Sequence, residues 1–291
     1  MGKGTRSTYL QFLMIAVTFF CAHSSYLIVN AVGGGGLKDS SVSATANFIS
    51  CIASAAIGLF AGAIHNFLGS RLSLLLGCAS YTFFWVAYVI YCLTEFAPIL
   101  YLAGVLFGLC MTLFWTAQNA LMLTYPTGQY KGKYLSTFFL AFAASGVVGG
   151  VLILALNFES KGTGLGMTTY YVSIALATLG CGLTLLLKPN GSLIRDDGSP
   201  MEEQVFEGWM SELNGVKNIF TNKYIWLLTP VFIVLGMYFT YIANGYNLSL
   251  FTMRTRGLNL IFFSVSGMLG SLAQGWYFDN VKLANKPKGL L

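Results

Sequence analysis

Eight apolar stretches, each long enough to cross a bilayer, constrain this chain more than anything else in it. They cover residues 8–29, 42–64, 72–93, 99–121, 134–156, 169–187, 225–246 and 260–278. A helix needs about 20 mostly apolar residues to span the hydrocarbon core. Inside that core only helices and closed barrels satisfy every backbone polar group. Barrel strands alternate apolar and polar residues over about 10 positions, and these runs do not alternate. The fold class is therefore an all-α polytopic membrane protein.

Composition supports this. Hydrophobic residues make up 56% of the chain and charged residues 9%, whereas a soluble domain carries about 25% charged residues. The net charge of +6 does not point to nucleic acid, because the basic residues lie in short connections and not along one helix face. With the N-terminus in the cytoplasm, twelve of the sixteen Lys and Arg fall on the cytoplasmic side and four, Lys38, Lys161, Arg254 and Arg256, on the other. That asymmetry predicts a multi-pass protein with both termini cytoplasmic; the choice between plasma membrane and endomembrane stays open. On this topology Asn247, which opens the sequon Asn247-Leu248-Ser249, lies outside and is a candidate for glycosylation.

The six cysteines all fall within apolar runs and read as small buried residues. No cysteine, histidine or carboxylate grouping has metal or triad spacing. The expectation is no enzyme, no cofactor and no metal.

The longest hydrophilic segment separates the sixth run from the seventh. It divides the chain into 1–187, a six-helix membrane bundle; 188–223, a cytoplasmic linker; and 224–291, the first two spans of a second bundle. In the linker Phe206, Trp209, Leu213, Val216 and Phe220 recur at steps of 3 and 4. This predicts an amphipathic helix, preceded and opened by Glu202, Glu203, Glu207 and Glu212. Its apolar side is expected on the membrane or on the first bundle.

Six spans, a long linker and further spans is the plan of major facilitator transporters, whose two six-helix halves enclose a midplane site. A motif supports that plan. Gly62, Gly69 and Arg71 follow the superfamily pattern at the end of the second span, with Asn66 where Asp is usual. Gly275 and Asp279 occupy the equivalent place after the eighth. Residues 30–36 (Asn-Ala-Val-Gly-Gly-Gly-Gly), Trp115-Thr116-Ala117-Gln118, Tyr125-Pro126, Arg195-Asp196-Asp197-Gly198-Ser199 and Arg254-Thr255-Arg256-Gly257 together resemble the fungal members of the uncoordinated-ninety-three-like branch of that superfamily. The resemblance implies the major facilitator fold of twelve spans, here a complete first bundle plus two helices of the second. It implies transport of an unknown small solute or ion by alternating access. The alternative it leaves open is a non-transporting protein that regulates or escorts other membrane proteins. On this reading four spans are missing, and the chain is expected not to transport alone. The partners expected are the lipid bilayer, an unknown small solute and, on the escort reading, other membrane proteins.

Candidate cavity residues follow from polar and aromatic side chains within the spans. His23 reads either as a proton-exchanging group or as a neutral ring bonded to a neighbouring helix. Trp115, Gln118 and Asn119, with Thr112 and Met122, lie near one face of the fourth span. They read equally as cavity lining or as interhelical hydrogen bonding. Tyr241 and Asn244, with Tyr238, form a comparable stripe in the seventh. The four glycines 33–36 read as a flexible outer turn, and Gly58/Gly62, Ser145/Gly149 and Gly146/Gly150 as close-packing pairs.

Overall fold

A computed structural model describes residues 3–37, 39–126, 130–157, 164–188, 206 and 208–280. Helices dominate: α1 (Lys3–Asn30), α2 (Ser40–Gly58), α3 (Ala61–Leu68), α4 (Ser70–Thr94), α5 (Ala97–Thr124), α6 (Lys131–Asn157), α7 (Met167–Leu185), α8 (Trp209–Thr221), α9 (Lys223–Thr240), the three-residue α10 (Leu248–Leu250) and α11 (Met253–Asn280). A 3-10 turn occupies Gly34–Gly36 and a π-helical stretch Tyr241–Asn247. Among the described residues, seven helices are long and apolar enough to cross a membrane. An eighth span is reached when α8 and α9, bent by 78° at their junction, are counted together.

α1 sits at the centre, packed on α6 and α7; α4 packs on α5 and α7, α2 on α5, and α6 on α11. Aromatic rings fill the middle: Phe12, Phe19, Tyr81, Phe84, Trp85, Phe107, Phe114 and Phe138 are all buried. Phe84 stacks on Phe107 with centroids 4.5 Å apart.

Small residues set how closely the helices approach. A Cβ on Gly104 would stand 2.7 Å from the Ala46 carbonyl oxygen, so α5 and α2 meet backbone to backbone there. Gly146 lies against Ser264, and Gly150 against Ile261 and the Gly257 carbonyl, as the four-residue spacing predicts for a packing pair. Gly58 and Gly62 do not behave this way. Nothing lies within 4 Å of where their Cβ would be, because the second span is not one helix. It breaks at Leu59 and Phe60 between α2 and α3.

Connections gather by parity. The turn after α1, Leu165 ahead of α7, and the segment between α9 and α11 meet at one end: Leu165 N–H donates to the Gly36 carbonyl and Gly34 N–H to Asn244 Oδ1. The α3–α4 turn, the end of α7 and the start of α6 share the other. There Arg71 donates to the Leu185 carbonyl, Lys133 Nζ stands 4.2 Å over the Tyr9 ring, and Lys188 N–H donates to Gln11 Oε1. This alternation is what successive membrane crossings require. The first is called here the glycine end and the second the motif end.

Candidate functional site

His23 faces inward from α1 into a ring of aromatic side chains. Its centroid lies 5.2 Å from Phe19, 5.9 Å from Tyr26 and 4.6 Å from Phe142, all stacked, and 5.9 Å from Trp115 edge-on. Only 6% of its surface is exposed. Neither ring nitrogen has a hydrogen-bond partner among the described residues. One turn on from Trp115, Gln118 is fully buried and both its amide atoms are unpartnered. Thr18 Oγ1 and Ser24 Oγ on α1 are in the same state. A buried polar group without a partner costs about 1–3 kcal/mol. His23 and Gln118, on either side of Trp115, are thus buried polar groups that the described side chains leave unsatisfied.

The remaining cavity candidates divide. Trp115, Thr112 and Met122 are half-buried and Asn119 is exposed, whereas Gln118 turns into the bundle. Adjacent residues on a helix point about 100° apart, so Gln118 and Asn119 do not share one face as the spacing had suggested. Tyr241 is exposed. Asn244 is placed away from the His23 cluster: it accepts from Gly34 N–H at 2.9 Å and donates to the Thr240 carbonyl at 3.2 Å.

That bond belongs to an arrangement the sequence reading missed. The four glycines are buried, not a loose turn, and all four have positive φ, between 59° and 76°. Only glycine takes that region without steric cost. Tyr170 Oη donates to the Gly35 carbonyl at 2.8 Å, and Tyr88 and Ser43 bond each other at 2.8 Å beside it. Arg256, counted from sequence as a loop charge, is buried. It donates through Nη1 to the Val32 carbonyl (2.6 Å), through Nε to Phe251 (2.8 Å) and through Nη2 to Leu248 (2.9 Å). One guanidinium thus satisfies three carbonyls at the glycine end. In the sequence it stood out only as a charge opening an apolar run and as part of the Arg254-Thr255-Arg256-Gly257 motif.

Asn247 is buried in the π-helical stretch, where its Oδ1 accepts from Asn259 Nδ2 at 3.0 Å. The pair borders a cavity of about 50 Å³ with Ala31, Ala243 and Phe263. The Asn247 side chain is only 6% exposed, which leaves little room beside Nδ2, the atom that a glycan would join.

At the motif end, Gly69 (φ 78°) ends α3 and begins α4. His65 is buried, with Ser73 Oγ 3.3 Å from Nδ1 and Ser70 Oγ 3.4 Å from Nε2. Gly62 is exposed and Arg71 caps the end of α7. Gly275 lies against Ser136, with its Cβ position 3.1 Å from the Gly132 carbonyl. Asp279 lies in the last turn of α11, and its side chain is outside the described residues. Asn66 donates to Glu212 Oε1 at 3.0 Å. Glu212 is the acidic residue in the first turn of α8; Glu202, Glu203 and Glu207 are outside the described residues.

Comparison with known proteins agrees with this architecture. The family model of the Major Facilitator Superfamily matches residues 10–289. UNC93-like protein 1 of Arabidopsis thaliana is 29% identical over 274 residues, which is 94% of this chain and 60% of that protein. UNC93-like protein C922.05c of Schizosaccharomyces pombe is 27% identical over 274 residues, 94% of this chain and 54% of its own length. Notoamide biosynthesis cluster protein O' of Aspergillus versicolor is 24% identical over 277 residues, 94% and 59%. The chain spans 60% or less of the length of these three relatives.

Proposed function

The chain belongs to the major facilitator superfamily, and from that premise we propose that, joined to a complete second bundle, it moves a small solute across a membrane by alternating access. His23, Tyr26, Trp115 and Phe142, with Gln118 towards the motif end, are its part of the solute path. The observation that carries this reading is the set of buried, unpartnered polar groups on His23 and Gln118 among aromatic rings. A helix bundle built only to pack gains nothing from leaving them unpaired. The closure of the glycine end supports an arrangement open towards the motif end. The balance of basic residues supports a cytoplasmic motif end. An epitope at the N-terminus should then be cut by protease only after vesicles sealed outside-out are permeabilised.

The transport reading is tested with the full-length protein in liposomes, given a mixture of cellular small molecules. At least one solute should accumulate with saturable kinetics. His23→Leu should reduce that accumulation about tenfold, the equivalent of one or two lost polar contacts, while folded yield is unchanged. No accumulation of any solute, or equal accumulation by the variant, would reject this function for the site.

A further inference from the structure

We propose that α8 is a strap lying in the lipid headgroup layer, latched to the end of the second span through Asn66 and Glu212. Three observations carry it. First, α8 meets the apolar helix α9 at 78°. If α9 crosses the bilayer, α8 runs nearly along its surface. Second, α8 presents an exposed apolar arc. Phe220, Leu213 and Met210 are exposed along it, next to half-buried Glu212 and Val216, and Lys217 lies within the arc between Leu213 and Met210. An apolar arc with a lysine whose stem can carry its ammonium outward suits the boundary between acyl chains and anionic headgroups. Third, the inner side is held by specific contacts. Asn66 Nδ2 donates to Glu212 Oε1 at 3.0 Å. Phe67 lies edge-on to Phe206 at 5.6 Å and tilted on Trp209 at 6.4 Å.

The residue at position 66 fits this role. Asn66 Oδ1 is buried and unpartnered. An aspartate here would bury a charge with no donor and set it against the Glu212 carboxylate. An asparagine supplies the one N–H that Glu212 accepts. The latch acts on α3, which the break at Leu59 and Phe60 has already separated from α2. The linker therefore holds the segment of the second span that is least tied to the rest of it.

Amide exchange of residues 209–221 in nanodiscs containing phosphatidylserine tests the latch. Slow exchange is expected in the unchanged protein. Asn66→Asp should raise it at least about tenfold, as expected for loss of a hydrogen bond to a charged group. The swap Asn66→Asp with Glu212→Gln restores a donor and an acceptor with roles reversed, and should return exchange close to the starting rate. Protection of α4 and α5 must stay unchanged for this reading. If Asn66→Asp disturbs them, Glu212→Leu, which leaves α3 intact, replaces it and should give the same acceleration. A nitroxide on Met210→Cys should be reached by oxygen more readily than by a water-soluble nickel chelate. Rapid exchange in the unchanged protein, no acceleration, no recovery in the swap, or a nitroxide open to the chelate would each overturn the proposal.

Discussion

Arg256→Leu is expected to open the glycine end. The substitution keeps an apolar stem but removes all donors from the Val32, Leu248 and Phe251 carbonyls. Each hydrogen bond from a charged donor contributes about 1.5–3 kcal/mol. Desolvation of the guanidinium offsets part of that sum. A net loss of about 3 kcal/mol is the expected outcome, because leucine leaves three carbonyls unsatisfied while relieving only one buried charge. Amide exchange at Gly36 and Leu37 should accelerate, since both are bonded within the tract that Arg256 anchors. Arg256→Lys should recover little of the effect, as an ammonium cannot present the planar fork that reaches three carbonyls. Asn244→Ala, which removes one bond to Gly34, should act in the same direction by about 1 kcal/mol. Unchanged exchange in Arg256→Leu would mean that Tyr170, Leu165 and Asn244 hold the tract without it.

Gly108→Val should have the second large effect. A Cβ at Gly108 would run into the Ser50 carbonyl and lie 3.0 Å from Ala53 Cβ. Ser54 Oγ also donates to the Gly108 carbonyl at 2.9 Å, which fixes α2 against α5. Backbone cannot swing aside as a side chain can, so the helices must separate. Overpacking of this kind costs about 1–3 kcal/mol. The measurement is the unfolding temperature of detergent-solubilised protein, which should fall clearly for Gly108→Val. Gly62→Val, where nothing lies within 4 Å, should leave it nearly unchanged. Equal effects would show that helix propensity, and not the α2–α5 contact, governs both sites.

These two positions show how much the sequence disclosed. The spans were legible because hydrocarbon leaves the backbone few options; a run of 20 apolar residues has one outcome. The interruption at Leu59 and Phe60 was not, because the run 42–64 stays apolar through it and Gly58 and Gly62 have the spacing of a packing pair. The glycine tract was misread for a different reason. Its local sequence permits any conformation, and what orders it, Tyr170, Asn244 and Arg256, lies far along the chain. Within the aromatic cluster, His23 stood out as a titratable ring inside a span and Trp115 by its place in the stripe of the fourth span. Tyr26 and Phe142 did not, among 16 Tyr and 23 Phe. The face shared by Gln118 and Asn119 was a matter of angle: spacing gave the turn of the helix but not which of two neighbours points inward.

The glycine tract also sets an order of events during synthesis. The bonds that hold it join residues separated by 135 positions to Tyr170, 210 to Asn244 and 224 to Arg256. Glycine loses more conformational freedom on ordering than any other residue, so the tract has no reason to settle before those partners arrive. Until Arg256 leaves the ribosome, the loop between the first two spans carries bare carbonyls at the membrane edge. A ribosome stalled before that point would hold a nascent chain whose first loop is still open to proteases, and the same loop would close only once the eighth span begins to form.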